Sequence, residues 1–463
     1  MWIAEGFICG KQGYSQFEAG ESYFNELINR SMIQPKYEIH DMRILSFRVH
    51  DMVLDLINAL SSEENFITKL NDLSHTSPSE KVRRLCLQNG NGGTHGATVN
   101  MQQVRSVVAF STNSNQIPSL PRFKVVRVLC LEDVDLSHGY NLNYIGKLVH
   151  LRCLRLRSTN IVQLPEEIGN LQFLQMLDIS NNEVPTLPST IVQLRQLKCL
   201  YIDKVNITMS NQIGGLTSLE ELSGICIEDS LTIEELGNLI ELRMLDMVYF
   251  SEREYMLVEC LRKLQNIKNL SISFNALRGD LDGWVGPQSL RSLRVDGYCF
   301  FKLPFWINHL HVQNLSFLEI SMEELQQEDL EILGRLPDLR DLNMWLADLN
   351  YKSIYNRREF VVSAGSFLRL VHCKLRGHYE RVVFWQGAMP RLTKLELHIS
   401  RVVWSSWTGI PDLGFENLSS LLDLHVNLSG GDSGNPCEEK ARAALRNMAE
   451  IHPNHPSISV GWW

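Results

Sequence analysis

The chain has 463 residues, of which 44% are hydrophobic and 21% are charged, so wholesale disorder is excluded. Its formal net charge of −9 disfavours nucleic acid as the main partner, because phosphate binding depends on clustered lysine and arginine. The sequence contains no run of 18 apolar residues, and its first residues lack the features of a signal peptide. Its ten cysteines form no C-x-x-C pair, which is typical of reduced thiols in a cytoplasmic protein.

The first part of the chain predicts a helix, a hairpin and a second helix. The first helix spans residues 17–30 and has an apolar face made of Phe17, Phe24, Leu27 and Ile28. Residues 33–49 predict a hairpin with a polar tip at 38–42, and Asp51 occupies the expected N-cap of the second helix. This order predicts a small α+β winged-helix module over residues 1–72, followed by a linker over 73–80. It shows no basic recognition helix, so DNA binding is not expected.

The sequence from residue 81 to 435 repeats the pattern L-x-x-L-x-L, whose second leucine position we call the marker. Fifteen markers follow one another at intervals of 22 to 31 residues, namely at 85, 107, 129, 154, 177, 200, 222, 245, 270, 293, 318, 342, 373, 395 and 424. Each repeat supplies a short strand whose marker side chain points into a shared core. The pattern predicts an α/β leucine-rich-repeat solenoid of about 15 irregular repeats.

Two further patterns describe the rest of the repeat region and its end. The motif L-P-x-x-I-x-x-L occurs at 164–171 and 187–194 and predicts a short turn or a single helical turn on the convex side. Asn435-Pro436 followed by two glutamates predicts a helix start. Residues 436–463 are therefore expected to form a capping helix and tail, with Trp462 and Trp463 closing the open end.

Three N-terminal segments carry a family resemblance: WIAEGFI at 2–8, YFNELINRS at 23–31 and VHDMVLD at 49–55. Together with the C-terminal helix and the HPNHP segment at 452–456, they are similar to plant nucleotide-binding, leucine-rich-repeat disease resistance proteins of the coiled-coil class found in grasses. The family binds ADP and ATP in its full-length form. A G-x-x-x-x-G-K-[ST] phosphate loop does not occur in this sequence, so the chain resembles the C-terminal portion of such a receptor, with no cofactor of its own.

In that family a Met-His-Asp triplet of the winged helix meets the nucleotide, and the triplet here is Val49-His50-Asp51. The resemblance implies that His50 and Asp51 sense ADP when an upstream nucleotide-binding core is present. The alternative is that Asp51 only caps a helix and that His50 is a surface residue.

Strand residues beside the core leucines are expected on the concave surface, which solenoids use for recognition. The strands supply the partner-binding candidates Arg155, Arg157, Tyr201, Trp345, Lys374 and Arg376. Two long intervals indicate insertions whose residue types are enriched at binding hot spots, with the candidates Arg357, Arg358, Trp404 and Trp407. The alternatives are an ordinary solvated face and, for the tryptophans, a cap on the core.

The sequence shows no catalytic signature and no metal-ligand spacing, so neither an enzyme nor a metal site is predicted. The resemblance implies a cytoplasmic plant immune receptor fragment with two kinds of protein partner. Its repeats would recognise a pathogen effector or a guarded host protein, and they would autoinhibit a nucleotide switch through the upstream nucleotide-binding domain. The alternative is a stand-alone repeat scaffold or decoy that binds protein without switching.

Overall fold

A computed structural model describes residues 1–8, 16–37, 44–69, 82–88, 100–137, 140–203, 213–228, 230–250, 253–279, 281, 283–346, 359–377, 381–400, 413–429 and 436–462. They form two compact units, Met1–Val248 and Tyr249–Trp463.

The first unit begins with the predicted helix, hairpin and helix. Its elements are α1 (Trp2–Glu5), α2 (Gln16–Asn29), β1 (Ile33–Tyr37), β2 (Ile44–Val49) and α3 (Asp51–Glu63). The strands β1 and β2 are antiparallel. The ring of Phe24 on α2 lies 6.3 Å from that of Trp2 and 5.8 Å from that of Phe47, so aromatic contacts hold the helices to the hairpin. One detail differs from the prediction, because His50 is the N-cap of α3 and Asp51 is its first residue, without a side-chain capping bond.

Parallel strands follow in the first unit; the first of them precedes the first marker, and each of the others contains one marker. They are β3 (Thr68–Lys69), β4 (Arg84–Gln88), β5 (Ser106–Phe110), β6 (Val128–Glu132), β7 (Cys153–Arg157), β8 (Met176–Asp178), β9 (Cys199–Tyr201), β10 (Glu221–Ile227) and β11 (Met244–Tyr249), the last of which reaches the second unit. The sequence markers pair directly across these strands, in the order Leu85, Val107, Leu129, Leu154, Leu177, Leu200 and Leu222. All seven are buried, as a shared core requires.

The returning segments of these repeats are short. The two L-P-x-x-I motifs form 3-10 helices over Glu166–Asn170 and Ser189–Gln193, each with its proline at the N-cap, which confirms the predicted helical turn. The buried Asn182 joins two such repeats: its amide donates to the carbonyls of Leu156 and Ile179, and its Oδ1 accepts from the backbone N–H of Thr159. Buried polar groups need such partners, so this side chain fixes the turn after the strand.

The second unit continues the repeat plan with longer helices and strands. Its strands are β12 (Asn269–Gly279), β13 (Ser292–Phe300), β14 (Phe317–Met322), β15 (Asp341–Leu346), β16 (Glu359–Val362), β17 (His372–Gly377), β18 (Arg381–Phe384), β19 (Lys394–Ser400), β20 (Asp423–Ser429) and β21 (Ser457–Trp462). Helices α5 (Glu254–Lys263), α6 (Gln327–Gly334) and α7 (Pro436–Ile451) lie between strands, as α4 (Ser230–Leu236) does in the first unit. The markers again pair in register, in the order Leu270, Leu293, Leu318, Leu342, Cys373, Leu395 and Leu424.

Two features of the second unit were not predicted. The strands β16 and β18 form a separate parallel pair, with β16 in the longest marker interval and β18 in the interval that follows it. The C-terminal segment is also not a simple tail, because β21 pairs with β20 and Ile458 continues the marker row next to Leu424. Trp462 is the last residue of this strand, whereas Trp463 lies outside the described residues.

Candidate protein-binding surfaces

The marker side chains point into the core, so their neighbours along each strand point to the opposite side. We call this side the outer sheet face; it carries the residues one before, one after and three after each marker. The six strand candidates all belong to it. Arg155, Arg157 and Tyr201 lie in the first unit, and Trp345, Lys374 and Arg376 lie in the second.

In the first unit, the candidates on the outer sheet face are already bound to neighbours. Arg155 Nε lies 3.0 Å from Asp178 Oδ2, and the carboxylate of Glu132 lies 3.9 Å from Arg157 and 4.0 Å from Arg155. The Tyr201 hydroxyl donates to Glu221, and burial raises the pKa of Tyr201 well above its ordinary value. These side chains therefore form a paired polar layer across β6 to β10.

The N-terminal helices contact one edge of this face, in the row of residues that immediately precede the markers. Ala4 of α1 is buried in a cluster with Val128 of β6 and Cys153 of β7, and Met176 of β8 packs against that cluster. The contact is apolar and lies at the amino ends of three successive strands. It places the start of the winged-helix module directly on the repeats.

Glu5 and Arg84 strengthen this contact. The carboxylate of Glu5 accepts a hydrogen bond from Ser106 and lies 3.3 Å from Arg84 Nε, and both ionic side chains are largely buried. The guanidinium of Arg84 also lies 4.1 Å from the ring centre of Phe66 and 5.1 Å from that of Phe7. Cation–π contacts are strongest where water is excluded. Arg84 thus ties α1, the segment after α3 and the strand β4 together.

The helix α2 makes a second set of contacts further along the same edge. Arg243, just before β11, lies 3.6 Å from the Glu18 carboxylate and 3.6 Å from that of Glu220. Glu220 also pairs with Lys198, whose Nζ lies 5.7 Å from the centre of the Phe17 ring. The two helices together therefore contact residues in or just before strands from β4 to β11. We call these contacts of α1 and α2 the N-terminal seat.

Sequence reasoning missed the N-terminal seat. Its acids and bases are separated by 79 residues or more and belong to elements with unrelated periods, so no local pattern marks them. The sequence gives one weak indication of this contact. The residues immediately before several markers are uncharged, as Val128, Cys153 and Met176 are.

The two candidate nucleotide-sensing residues lie at the start of α3 and are exposed. Asp51 has only a weak ion pair, 3.7 Å from Arg48, with both side chains mostly in solvent. None of the thirteen residues of α3 is buried, although the helix carries Met52, Leu56 and Leu60, which are 75%, 58% and 50% exposed. A helix with several exposed large apolar side chains marks an interaction surface.

In the second unit, the three candidates lie next to one another on the outer sheet face. Trp345 of β15 is in register with Arg376 of β17, and Asn343 is in register with Lys374. Trp345 is 53% exposed. Glu396 of β19 lies 2.8 Å from Lys374 and 3.7 Å from Arg376, so the lysine is its closer partner. An exposed tryptophan therefore adjoins a loosely paired arginine.

A half-buried acid lies on the same face. The Glu319 carboxylate on β14 is 3.4 Å from Arg294 on β13, and its side chain is 18% exposed. Burial raises the pKa of Glu319, and the neighbouring Arg294 opposes the shift. The outer sheet face of the second unit therefore carries charges of both signs.

The remaining candidates, Arg357, Arg358, Trp404 and Trp407, lie outside the described residues. Within the described ranges, no group of three or more histidine, cysteine, aspartate or glutamate side chains is placed to hold a metal ion. Among the helices that the structure describes, none is long and apolar enough to cross a membrane.

Two family models match the chain. A leucine-rich repeat region model covers residues 103–458, and a disease resistance protein winged helix domain model covers residues 1–57. Among solved structures, a leucine-rich-repeat protein of Leptospira interrogans superposes with a TM-score of 0.53 at 19% identity, covering 85% of this chain and 99% of that one. At this identity the likeness supports the repeat fold alone.

Curated relatives include rice disease resistance proteins. Pik-2 of Oryza sativa subsp. japonica is 29% identical over 99% of this chain and 50% of its own length. RGA5 of the same plant is 29% identical over 100% of this chain and 43% of its own length. The chain thus spans about half the length of the relatives it matches. It belongs to the leucine-rich-repeat family, and its predicted likeness to plant nucleotide-binding disease resistance proteins is confirmed.

Proposed function

We propose that this chain is the sensor and restraining part of a cytoplasmic plant immune receptor. In this proposal the repeats recognise a pathogen effector or a guarded host protein and hold a nucleotide switch inactive until recognition occurs. The N-terminal seat is the observation that carries the proposal, because it joins the winged helix to the repeats within one compact unit. A change on the repeats that disturbs this seat would reach the winged helix directly.

The exposure of helix α3 favours a second binding partner for the winged-helix module. Its apolar side chains are available to pack against a nucleotide-binding domain that precedes the winged helix in the complete receptor. His50 and Asp51 lie at the amino end of this helix, where anions are favoured. This position supports our proposal that they sense the ADP held by that domain. When ADP is titrated into the chain alone, we expect no binding, because the main phosphate-binding loop belongs to that domain. Measurable ADP affinity of the chain alone would contradict this expectation.

Recognition is assigned to the outer sheet face of the second unit. Trp345, Lys374 and Arg376 are adjacent there, and tryptophan and arginine are enriched among residues that dominate binding energy. Arg155, Arg157 and Tyr201 have close ionic or hydrogen-bonded neighbours, so a supporting role in the polar layer of the first unit suits them better.

The restraint is tested by charge reversal in the source plant. The double variant Glu5→Arg, Glu18→Arg places each new arginine against Arg84 or Arg243, and we expect it to trigger a defence response without any pathogen. The matched control is Glu21→Arg, which makes the same reversal at an exposed position of α2 and is expected to remain quiet.

Reversal of the partners provides the second arm. Adding Arg84→Glu and Arg243→Glu to the double variant restores opposite charges across both pairs. Because Arg243→Glu also opposes Glu220, the response is expected to subside in part. The proposal of restraint fails if the double variant stays as quiet as the parent while its protein accumulates normally.

A further inference from the structure

The helices α1 and α3 end in the same way, and the side chains at their ends meet on Arg84. We propose that Phe7, Phe66 and Arg84, which we call the aromatic clasp, couple α3 to α1, so that a shift of α3 loosens the N-terminal seat. The aromatic clasp would pass the state of the proposed nucleotide switch to the repeats. This inference rests on the proposed function and names the side chains that connect its two parts.

The end of α1 holds Phe7 in a fixed position. Gly6 follows the helix with a left-handed φ of +83°, and its N–H donates to the carbonyl of Ile3. The N–H of Phe7 donates to the carbonyl of Trp2. Together these bonds form the Schellman motif, in which the residue after the left-handed position is bonded back to the last turn of the helix. Phe7 therefore moves with α1.

The end of α3 has the same motif. Asn65 has a φ of +48°, and asparagine is one of the few residues that adopt this backbone conformation readily. Its N–H donates to the carbonyl of Ser62, and the N–H of Phe66 donates to that of Ser61. Shortly afterwards the chain enters β3, which pairs with β4. Phe66 is therefore held by α3 on one side and by the repeat sheet on the other.

The two phenylalanine rings contact each other and the guanidinium of Arg84. The centres of the Phe7 and Phe66 rings are 6.0 Å apart, and their planes differ by 25°, so the rings are stacked. Arg84 covers both rings, at 4.1 Å from the centre of Phe66 and 5.1 Å from that of Phe7. Its side chain is 21% exposed and is ion-paired with Glu5. Ring stacking and cation–π attraction both favour this arrangement over separated rings.

The aromatic clasp connects two surfaces that have different proposed partners. The helix α3 is about 20 Å long and carries His50 and Asp51 at its amino end, opposite Phe66. A shift of α3 would move Phe66 away from Arg84, and Arg84 also binds Glu5 in the N-terminal seat. Coupling between two sites is reciprocal, so it must be measurable from either helix.

Hydrogen–deuterium exchange on the full chain measures this coupling. We expect Phe66→Leu to speed exchange of the amides at the end of α1, residues 5–7, about three- to tenfold, because α1 loses a stacking partner that belongs to another helix. Phe7→Leu should speed exchange at the end of α3, residues 64–66, by a similar factor. Arg84→Lys keeps the positive charge but loses the planar group that covers both rings, so both helix ends should exchange faster.

Two controls separate coupling from general loosening of the fold. Phe66→Tyr keeps the aromatic ring and should match the parent at both helix ends. Phe173→Leu removes a 49% exposed ring elsewhere in the first unit and should also match the parent. Thermal unfolding of every variant verifies the fold.

The outcomes separate this inference from the proposed function. Faster exchange that is confined to the helix carrying the substitution would overturn the inference, as would equal effects of Phe66→Tyr and Phe66→Leu. The proposed restraint would survive either result, because its charge-reversal test leaves the rings unchanged. Reciprocal effects at both helix ends would support the aromatic clasp even if the charge-reversal variant stayed quiet in the plant.

Discussion

Single buried polar side chains stabilise the turns that follow the repeat strands, and Asn182 is the clearest case. It supplies partners to two carbonyl groups and to the N–H and hydroxyl of Thr159, all of them buried. We expect Asn182→Ala to lower the free energy of unfolding by about 1–3 kcal/mol, because those groups would lose their hydrogen bonds without regaining water. Urea unfolding measures the change, with the exposed neighbour Glu183→Ala as the control. An equal effect of both substitutions would contradict this role.

The acid Glu319 gives a prediction about pH. Its pKa is raised in the folded state by burial, so the folded chain resists ionisation more than the unfolded chain does. The associated stability is complete below the unfolded pKa, near 4.5, and is lost as pH rises through the higher folded value. We therefore expect the free energy of unfolding of Glu319→Gln, relative to that of the parent, to be higher at pH 7.5 than at pH 4.5.

Urea unfolding of the parent and of Glu319→Gln at these two pH values tests the sign. A relative gain by the parent at the higher pH would mean that attraction to Arg294 outweighs the cost of burial. Such a result would contradict the stated cause.

At the scale of elements, α3 is a helix whose apolar side chains do not stabilise the described fold. Leu56 and Leu60 are 58% and 50% exposed, so we expect Leu56→Lys and Leu60→Lys to change the free energy of unfolding by less than about 0.5 kcal/mol. Chemical unfolding measures this. The matched contrast is Leu177→Ala at a fully buried marker, with an expected loss of about 2–5 kcal/mol. A large loss from the α3 variants would show that α3 packs within the chain.

The elements also show what the sequence could and could not predict. The strand register followed from the leucine period, because each marker must reach the same core. Even the loose copies at Val107 and Leu129 pair as expected. The strand β21 escaped prediction, since α7 lengthens its repeat and isoleucine and valine replace the leucines in Ser457–Trp462.

The candidate surfaces were predicted only in part, for a related reason. Alternation along a strand places Trp345 and Arg376 on one face, so their adjacency follows once the register is known. The extra pair β16–β18 could not be predicted in the same way, because it has no leucine period. The N-terminal seat depends on single ion pairs between distant segments, and such pairs leave no pattern in one sequence.

In the molecule as a whole, the proposed restraint depends on a winged helix that contacts the repeats through defined charges. In the first unit, those contacts occupy the edge of the outer sheet face and leave α3 exposed. In the second unit, the same face carries the tryptophan and arginine assigned to recognition. Restraint is therefore assigned to the N-terminal seat in the first unit, and recognition is assigned to the outer sheet face of the second unit.

Hydrogen–deuterium exchange on the full chain tests the N-terminal seat most directly. We expect the backbone amides of α2, Gln16–Asn29, to exchange faster in the variant Glu5→Arg, Glu18→Arg than in the parent, because like charges then oppose the contact. Exchange should slow again in part when Arg84→Glu and Arg243→Glu are added, since Arg243→Glu also opposes Glu220. The control Glu21→Arg should match the parent. Equal exchange of α2 in the parent and in the double variant would contradict the account.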